Sequence, residues 1–518
     1  MARVTRNFAA NMAGTAWGTL VGLVAVPLYL RLIGAEGYGL IGFYAVLVAL
    51  LSMLDAGFSA AAARELARTE GEEGDARARV AQTVRMLERA FLAVGAACGV
   101  LVIALAPWAA TRWLNLHDIG IEEGTRAVRL MGVSLILQFP LALYNGCLLG
   151  MQRHGWMNAV NAIAATARAV GGILVLWAIS PTADAFFAWQ AVVALGTFVA
   201  TRALVRRLLP RGASGTGVEL ARLRELGRFA AGMGGINVLG LALTQMDKVV
   251  LSFLLPLREF GYYALAWTLA SLVYRISFAL YNTVLPRMTE LLARGDAGAF
   301  RSIFLSSGES MAALVVPFSL FLVVFASEIV GLWTGDPQAA SADRWVLALL
   351  SLGTMASAIM QVPFAAQVAG GRVRPLFLMN LGAVAAVAPL MVFLTSRAGI
   401  TGAAASWAIL HVPLFGVMMR LAGTQLGGAT VVRWSVGSLA RPVALSALVL
   451  LAAKALVSPL ELRGASLFVA LAAAGIACEL AAVAASPFVR GRVRAIAAAA
   501  RARGPAPVTV SSEPAKPE

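Results

Sequence analysis

The chain has 518 residues; 60% are hydrophobic, 13% are charged, and the formal net charge is +16. Soluble domains hold about 25% charged residues, so the composition excludes an ordinary water-soluble fold and points to a membrane protein. A basic excess of this size also suits nucleic-acid binding, and the placement of the charges decides between the two.

Apolar runs long enough to cross a bilayer, about 18 residues or more, recur along the chain. Fourteen spans are predicted, over residues 8–32, 39–63, 90–110, 128–150, 157–179, 184–205, 229–255, 261–286, 304–327, 344–369, 375–395, 400–423, 438–457 and 465–486. Span 13 is short and holds Lys454. The expected fold is an all-α integral membrane protein with about 14 transmembrane helices. Span 1 exceeds a signal-peptide core and no small-residue cleavage site follows it, so it is expected to be retained.

With the N-terminus in the cytoplasm, about 30 of the 42 Lys and Arg fall in inner loops and tails and about 8 outside. This positive-inside asymmetry places both termini in the cytoplasm. The clusters Arg64 to Arg89, Arg206 to Arg228, Arg287 to Arg301 and Arg490 to Arg503 all lie on that inner side. They read as topology signals and contacts to anionic headgroups, and no nucleic-acid partner is expected. Cys98, Cys147 and Cys478 all fall inside predicted spans without metal-ligand spacing and read as packing residues.

The chain also repeats itself. Asn7-Phe-Ala-Ala-Asn-Met-Ala-Gly14 opens span 1, and Arg228-Phe-Ala-Ala-Gly-Met-Gly-Gly235 opens span 7. Gly37-Tyr38 before span 2 is echoed by Gly261-Tyr262 at span 8. Six spans separate the copies, and an even number makes the repeats parallel, the layout of a two-lobed transporter. The expected division is an N-lobe at 1–208, a cytoplasmic linker at 209–227 containing Pro210 to Gly217, a C-lobe at 228–424, an appended pair of helices at 425–490, and a basic, then disordered tail at 491–518.

Inside the spans, polar residues fall at helical spacing. Span 5 aligns Asn158, Asn161, Ala165, Arg168 and Gly172; span 8 aligns Thr268, Ser271, Arg275, Phe278 and Asn282. Span 4 carries Gln138, Asn145 and Gln152, span 2 carries Ser52, Asp55 and Ser59, and span 7 carries Asn237, Thr244 and the pair Asp247-Lys248. A charge at mid-membrane costs about 2.5–3.5 kcal/mol on the most lenient scale. Arginine forks two hydrogen bonds onto phosphate oxygens and stays charged when buried. Arg168 and Arg275 are therefore candidate ligands for an anionic, diphosphate-bearing cargo in a cationic central cavity, with Gln138, Asn145, Asn161, Asn282 and Lys248 as further candidates. The alternative is structural pairing with Asp55, Asp247 or Glu479. The Gly14, Gly18, Gly22 series in span 1 reads as close helix packing. Pro27, Pro140, Pro317, Pro363, Pro389 and Pro413 are candidate bends.

Several passages resemble the bacterial polysaccharide flippases, of the O-antigen and exopolysaccharide type, in the MATE-like transporter superfamily. They are Asn11 to Gly14, Pro27-Leu-Tyr-Leu, Gly34-Ala-Glu-Gly-Tyr38-Gly, Leu54-Asp55-Ala-Gly57-Phe with Arg64, Tyr144-Asn145-Gly-Cys-Leu-Leu-Gly150-Met-Gln152-Arg153, Asp247-Lys248, Glu259-Phe-Gly261-Tyr262 and Leu285-Pro286. The resemblance covers about residues 1–430. It implies two six-helix lobes working by alternating access in the bacterial inner membrane. The implied cargo is an undecaprenyl-diphosphate-linked oligosaccharide, and the implied partners are membrane lipids and other polysaccharide-assembly proteins. The appended helices are implied as a groove for the lipid tail. No cofactor is expected beyond a coupling ion, H+ or Na+.

The chain departs from its relatives in two places. Drug-exporting members often carry an acid in span 1, and residues 7–30 contain none. Sodium-binding members place an acid one turn after an Asn in span 11; here Asn380 is followed by Val384. Asp55 and Asp247 are left as candidates for ion coupling. A drug exporter and a peptidoglycan-precursor flippase remain alternatives. A membrane enzyme is not expected: the outer loops are short, and His117 with Asp118 is the sole outer pair resembling a catalytic constellation. His154 and His411 lack metal-ligand spacing.

Overall fold

A computed structural model describes residues 2–55, 57–68, 75–209, 239–240 and 243–502. The linker from 210, the motif at 228–235, Asn237 and the tail from 503 lie outside the described residues. Over the rest the chain is helical, and no strand occurs among the described residues.

The helices are α1 (Ala2–Met53), α2 (Phe58–Arg68), α3 (Asp75–Trp108), α4 (Ile121–Gly150), α5 (His154–Thr166), α6 (Gly172–Ala178), α7 (Ala183–Leu208) and α8 (243–254). There follow α9 (Leu257–Ala270), α10 (Val273–Ala293), α11 (Ala297–Val324), α12 (Ala326–Thr334), α13 (Pro337–Ile359), α14 (Gln361–Ala369), α15 (Val373–Leu426), α16 (Gly428–Arg433), α17 (Arg441–Val457), α18 (Gly464–Ala485) and α19 (Pro487–Ala502). Wider π-turns join α5 to α6 at Ala167–Gly171 and α16 to α17 at Trp434–Ala440.

Among the described residues, 10 helices are long and apolar enough to cross a membrane, or up to 11 if the bent pair α9–α10 is one span. The chain is a multi-pass membrane protein. The expected count of fourteen differs because α1 takes in predicted spans 1 and 2, α15 takes in spans 11 and 12, and span 7 is described only in part. The breaks in α1 and α15 fall at Gly34 (φ 72°) and at Ala398–Gly399 (Gly399 φ 55°), not at Pro27, Pro389 or Pro413. A positive φ is cheap only for glycine, whereas a proline costs a single hydrogen bond that neighbours in a membrane bundle can replace.

The helices form two compact units that cut across the expected lobes. Unit 1 holds residues up to Leu272 together with Phe325–Gly353 and Arg372–Leu414. Within it α4 packs on α3 and α7. Lipid gives little hydrophobic drive to helix association, so small residues that let backbones approach carry the packing. A Cβ on Gly132 would sit 2.8 Å from the Gly99 carbonyl oxygen, so α3 and α4 touch backbone to backbone. One end of this bundle is fastened by Glu88, whose carboxylate accepts hydrogen bonds from Arg202 (2.6 Å), Arg206 (3.2 Å) and the Tyr144 hydroxyl (2.7 Å).

Unit 2 holds Val273–Val324, Thr354–Gly371 and the chain from Phe415. The helices expected as an appended pair, α17 and α18, pack on α11. Trp434 is fully buried, with the rings of Phe304 and Phe415 at 5.9 and 6.0 Å. Its indole lies on Gly308, where no Cβ would fit. The basic stretch from Pro487 is helix α19, and Glu309 of α11 accepts the Phe488 N–H (2.6 Å) at its start, a negative group at a helix N-terminus.

Candidate functional site

Arg168 lies in the π-turn Ala167–Gly171. A π-turn widens the helix and releases carbonyls from the usual ladder, and such turns often mark functional positions. Three side chains take up those carbonyls. The Tyr29 hydroxyl donates to the oxygens of Arg168 (3.1 Å) and Ala169 (3.2 Å). Trp189 Nε1 donates to Ala167 (2.8 Å), and Gln190 Nε2 donates to Arg168 (3.4 Å). Gly171 is required by the same packing, because a Cβ there would sit 2.5 Å from Trp189 Nε1. The turn is thus held from outside by α1 and α7, and the arginine side chain takes no part in holding it.

The guanidinium of Arg168 is half-buried and forms no ion pair among the described residues. Tyr44 lies within electrostatic reach of it, and the Tyr44 hydroxyl donates to Gln138 Oε1 (2.6 Å). Arg168, Tyr44 and Gln138 therefore neighbour one another in unit 1. The span 5 stripe shares a face as expected, and α1 covers much of that face. Asn158 lies on Gly14, Ala165 on Gly18, and Gly172 against Tyr29. This accounts for Gly14, while a Cβ on Gly18 would make only ordinary contact with Ala165 at 4.0 Å and one on Gly22 would meet nothing within 4 Å. Asn161 is exposed and Asn145 half-buried. Gln152 leaves the span 4 stripe, because α4 ends at Gly150 and Gln152 has φ 57° in the turn beyond.

The span 8 stripe is broken. The helix bends by 40° between α9 and α10, at Ser271–Leu272. Thr268, before the bend, is bonded to the Tyr38 hydroxyl (3.1 Å). Arg275, Phe278 and Asn282, after it, share an exposed face of α10, and Arg275 forms no ion pair among the described residues. Asp55 is likewise not on a continuous helix. It sits at the break between α1 and α2, and its Oδ1 accepts both the N–H and the hydroxyl of Ser59 (2.9 Å each), a local cap.

Asp247 and Lys248, separated by about 100° around a helix, nevertheless pair. The flexible lysine stem folds back and brings Nζ to 3.0 and 3.1 Å from the two carboxylate oxygens. The Tyr263 hydroxyl donates to Asp247 Oδ2 (2.6 Å), and the ammonium stands 3.6 Å from the Trp267 ring centre. Trp267 meets Trp407 edge-on, and His411 packs on Trp407 at 4.0 Å.

A seam within unit 1 joins the two halves of the sequence repeat at the landmarks themselves. Gly39 lies on the Leu257 carbonyl, and Gly261 lies on the Ala35 carbonyl, both too close for a side chain. The seam continues through Trp113 Nε1 to Ser252 Oγ (3.0 Å), Asn115 Nδ2 to the Phe253 carbonyl (3.2 Å), and Trp333 Nε1 to the Leu23 carbonyl (3.0 Å). Buried Glu36 accepts the backbone N–H groups of His117 (2.7 Å), Asp118 and Ile119 (3.2 Å), fixing the loop beside it. Sequence reasoning took Gly34 to Gly39 as a landmark and missed this carboxylate. The signal was an acid alone among glycines at the end of an apolar span.

The family model described as polysaccharide biosynthesis protein matches residues 4–292, more than half of the chain. The chain belongs to that family. A Shigella flexneri protein named "Putative O-antigen transporter" is 20% identical over 407 residues, which are 78% of this chain and 94% of that protein. Among solved structures, the lipid II flippase MurJ in its inward closed conformation matches with a TM-score of 0.70 and 13% identity, covering 93% of this chain and 99% of its own. An inward-facing MATE-family multidrug resistance transporter matches with a TM-score of 0.58 and 13% identity, covering 80% and 96%. At these identities the structural matches establish the fold alone.

Proposed function

We propose that this family member flips an undecaprenyl-diphosphate-linked oligosaccharide across the bacterial inner membrane, from the cytoplasmic to the outer face, for surface polysaccharide assembly. The observation that carries the reading is Arg168: a cation in an apolar span, on a turn already held by Tyr29, Trp189 and Gln190, with no carboxylate paired to it among the described residues. A cation kept unpaired at a cost of about 2.5–3.5 kcal/mol suits a ligand that brings its own negative charge. Its planar fork matches a phosphate edge, and the Tyr44–Gln138 pair beside it offers neutral hydrogen-bonding to sugar hydroxyls. Arg275, exposed on α10 with Asn282, is proposed to meet the same headgroup at its own point of the passage.

Alternating access needs one side shut while the other is open. The loops bordering the seam, at Gly34, Asn115 and Pro256, are outer loops when both termini are cytoplasmic, so the seam is proposed as the outer closure. The glycine contacts make it tight through backbone packing, which suits a closure that must reopen. The drug-exporter reading draws support from the MATE-like fold. A cationic drug, however, calls for a free acid, and Asp55 and Asp247 are engaged with Ser59, Lys248 and Tyr263. The test is surface polymer in cells whose sole copy carries Arg168→Ala and Arg275→Ala. The reading expects loss of polymer with normal levels of folded protein; normal polymer would exclude the arginines from cargo handling.

A further inference from the structure

The resemblance leaves H+ or Na+ as the coupling ion, and the residues at the place where sodium-binding relatives hold theirs do not fit a metal ion. The span 11 position expected to supply a second carboxylate is Val384, which packs with Leu243, Val387 and Met391 in an aliphatic cluster. The remaining carboxylate, Asp247, is fully buried and has both oxygens engaged by Lys248. A lysine ammonium has three N–H donors. Those of Lys248 reach Asp247 Oδ1, Asp247 Oδ2 and the Thr244 carbonyl (2.8 Å), and the Trp267 face covers the charge. We propose that Lys248 is a built-in counter-cation that permanently fills the cation place at Asp247, so that no exchangeable metal ion binds there.

The geometry supports this in two ways. The ligands around the ammonium are those a small hard cation would use, namely carboxylate and carbonyl oxygens. The ammonium is also tethered from the next residue in the chain, so its local concentration exceeds that of any ion in solution. Lys248 then balances a buried charge and is not free to meet cargo, and Asp247 is not a metal-ion coupling site.

The proposal rests on the transporter reading only for the use an ion would have, and its test needs no cargo. The purified protein, Lys248→Met and the double variant Asp247→Asn/Lys248→Met are unfolded thermally in sodium, lithium, potassium and choline chloride at equal ionic strength. The unchanged protein and the double variant should each melt at one temperature in all four salts. Lys248→Met, with the carboxylate vacated, should melt lowest in choline and rise with sodium concentration. Two results would overturn the proposal: a sodium-specific rise in the unchanged protein, or a Lys248→Met midpoint equal in all four salts. If Lys248→Met is not recovered folded, Lys248→Gln carries the same comparison. The unchanged protein decides the first point without any variant.

Discussion

Gly261→Ala adds one carbon where the seam has room for none. The new Cβ falls on the Ala35 carbonyl, a backbone atom that no rotamer change can move aside. The two backbones must separate, and the Gly39–Leu257 contact one turn along must loosen with them. Overpacking of this kind costs about 1–3 kcal/mol. Charged against the closed state alone, 1–2 kcal/mol shifts the closed-to-open ratio by about 5–30-fold. The assay is labelling of Ser252→Cys, buried at the seam beside Trp113, by a membrane-impermeant maleimide in cells, with Cys98, Cys147 and Cys478 replaced. Gly261→Ala should raise the labelling rate several-fold. Gly196→Ala is the control, since a Cβ there meets nothing within 4 Å. Equal rates in Gly261→Ala, Gly196→Ala and the parent would refute the seam as a closure of the outer side.

Glu36→Ala should lower thermal stability by about 1–3 kcal/mol, because three backbone N–H groups lose their shared acceptor. Glu36→Gln, which keeps one acceptor oxygen, should lose less, and thermal unfolding of the purified proteins ranks the two. Gly171→Ala should displace the Trp189 ring and with it the hydrogen bond that holds the Arg168 turn. Surface polymer should fall in that variant at unchanged membrane levels, and normal polymer would show that the turn does not position the arginine.

Much of the architecture was legible because membrane helices must be long and apolar, and the order of spans follows the hydropathy. The repeat was legible from Gly37-Tyr38 and Gly261-Tyr262, although nothing in the sequence says that the two copies lie on each other. Helical period correctly put Asn158, Ala165 and Gly172 on one face, but period cannot say whether a face meets a cavity or another helix, and here α1 covers it. Asp55 and Gln152 misled because predicted spans were drawn as continuous helices, while the chain turns at Leu54 and Asp55 and after Gly150. That Asp247 and Lys248 pair with each other was not legible, because ideal helix angles fix Cβ directions and leave a four-carbon lysine stem free to return.

The measurement that bears most directly on the account is the lipid pool of cells lacking this protein. The account predicts that undecaprenyl-diphosphate-linked oligosaccharide accumulates on the cytoplasmic face of the inner membrane, and that the unchanged chain, but not the Arg168→Ala/Arg275→Ala variant, clears it. An unchanged lipid pool accompanied by altered drug sensitivity would contradict it.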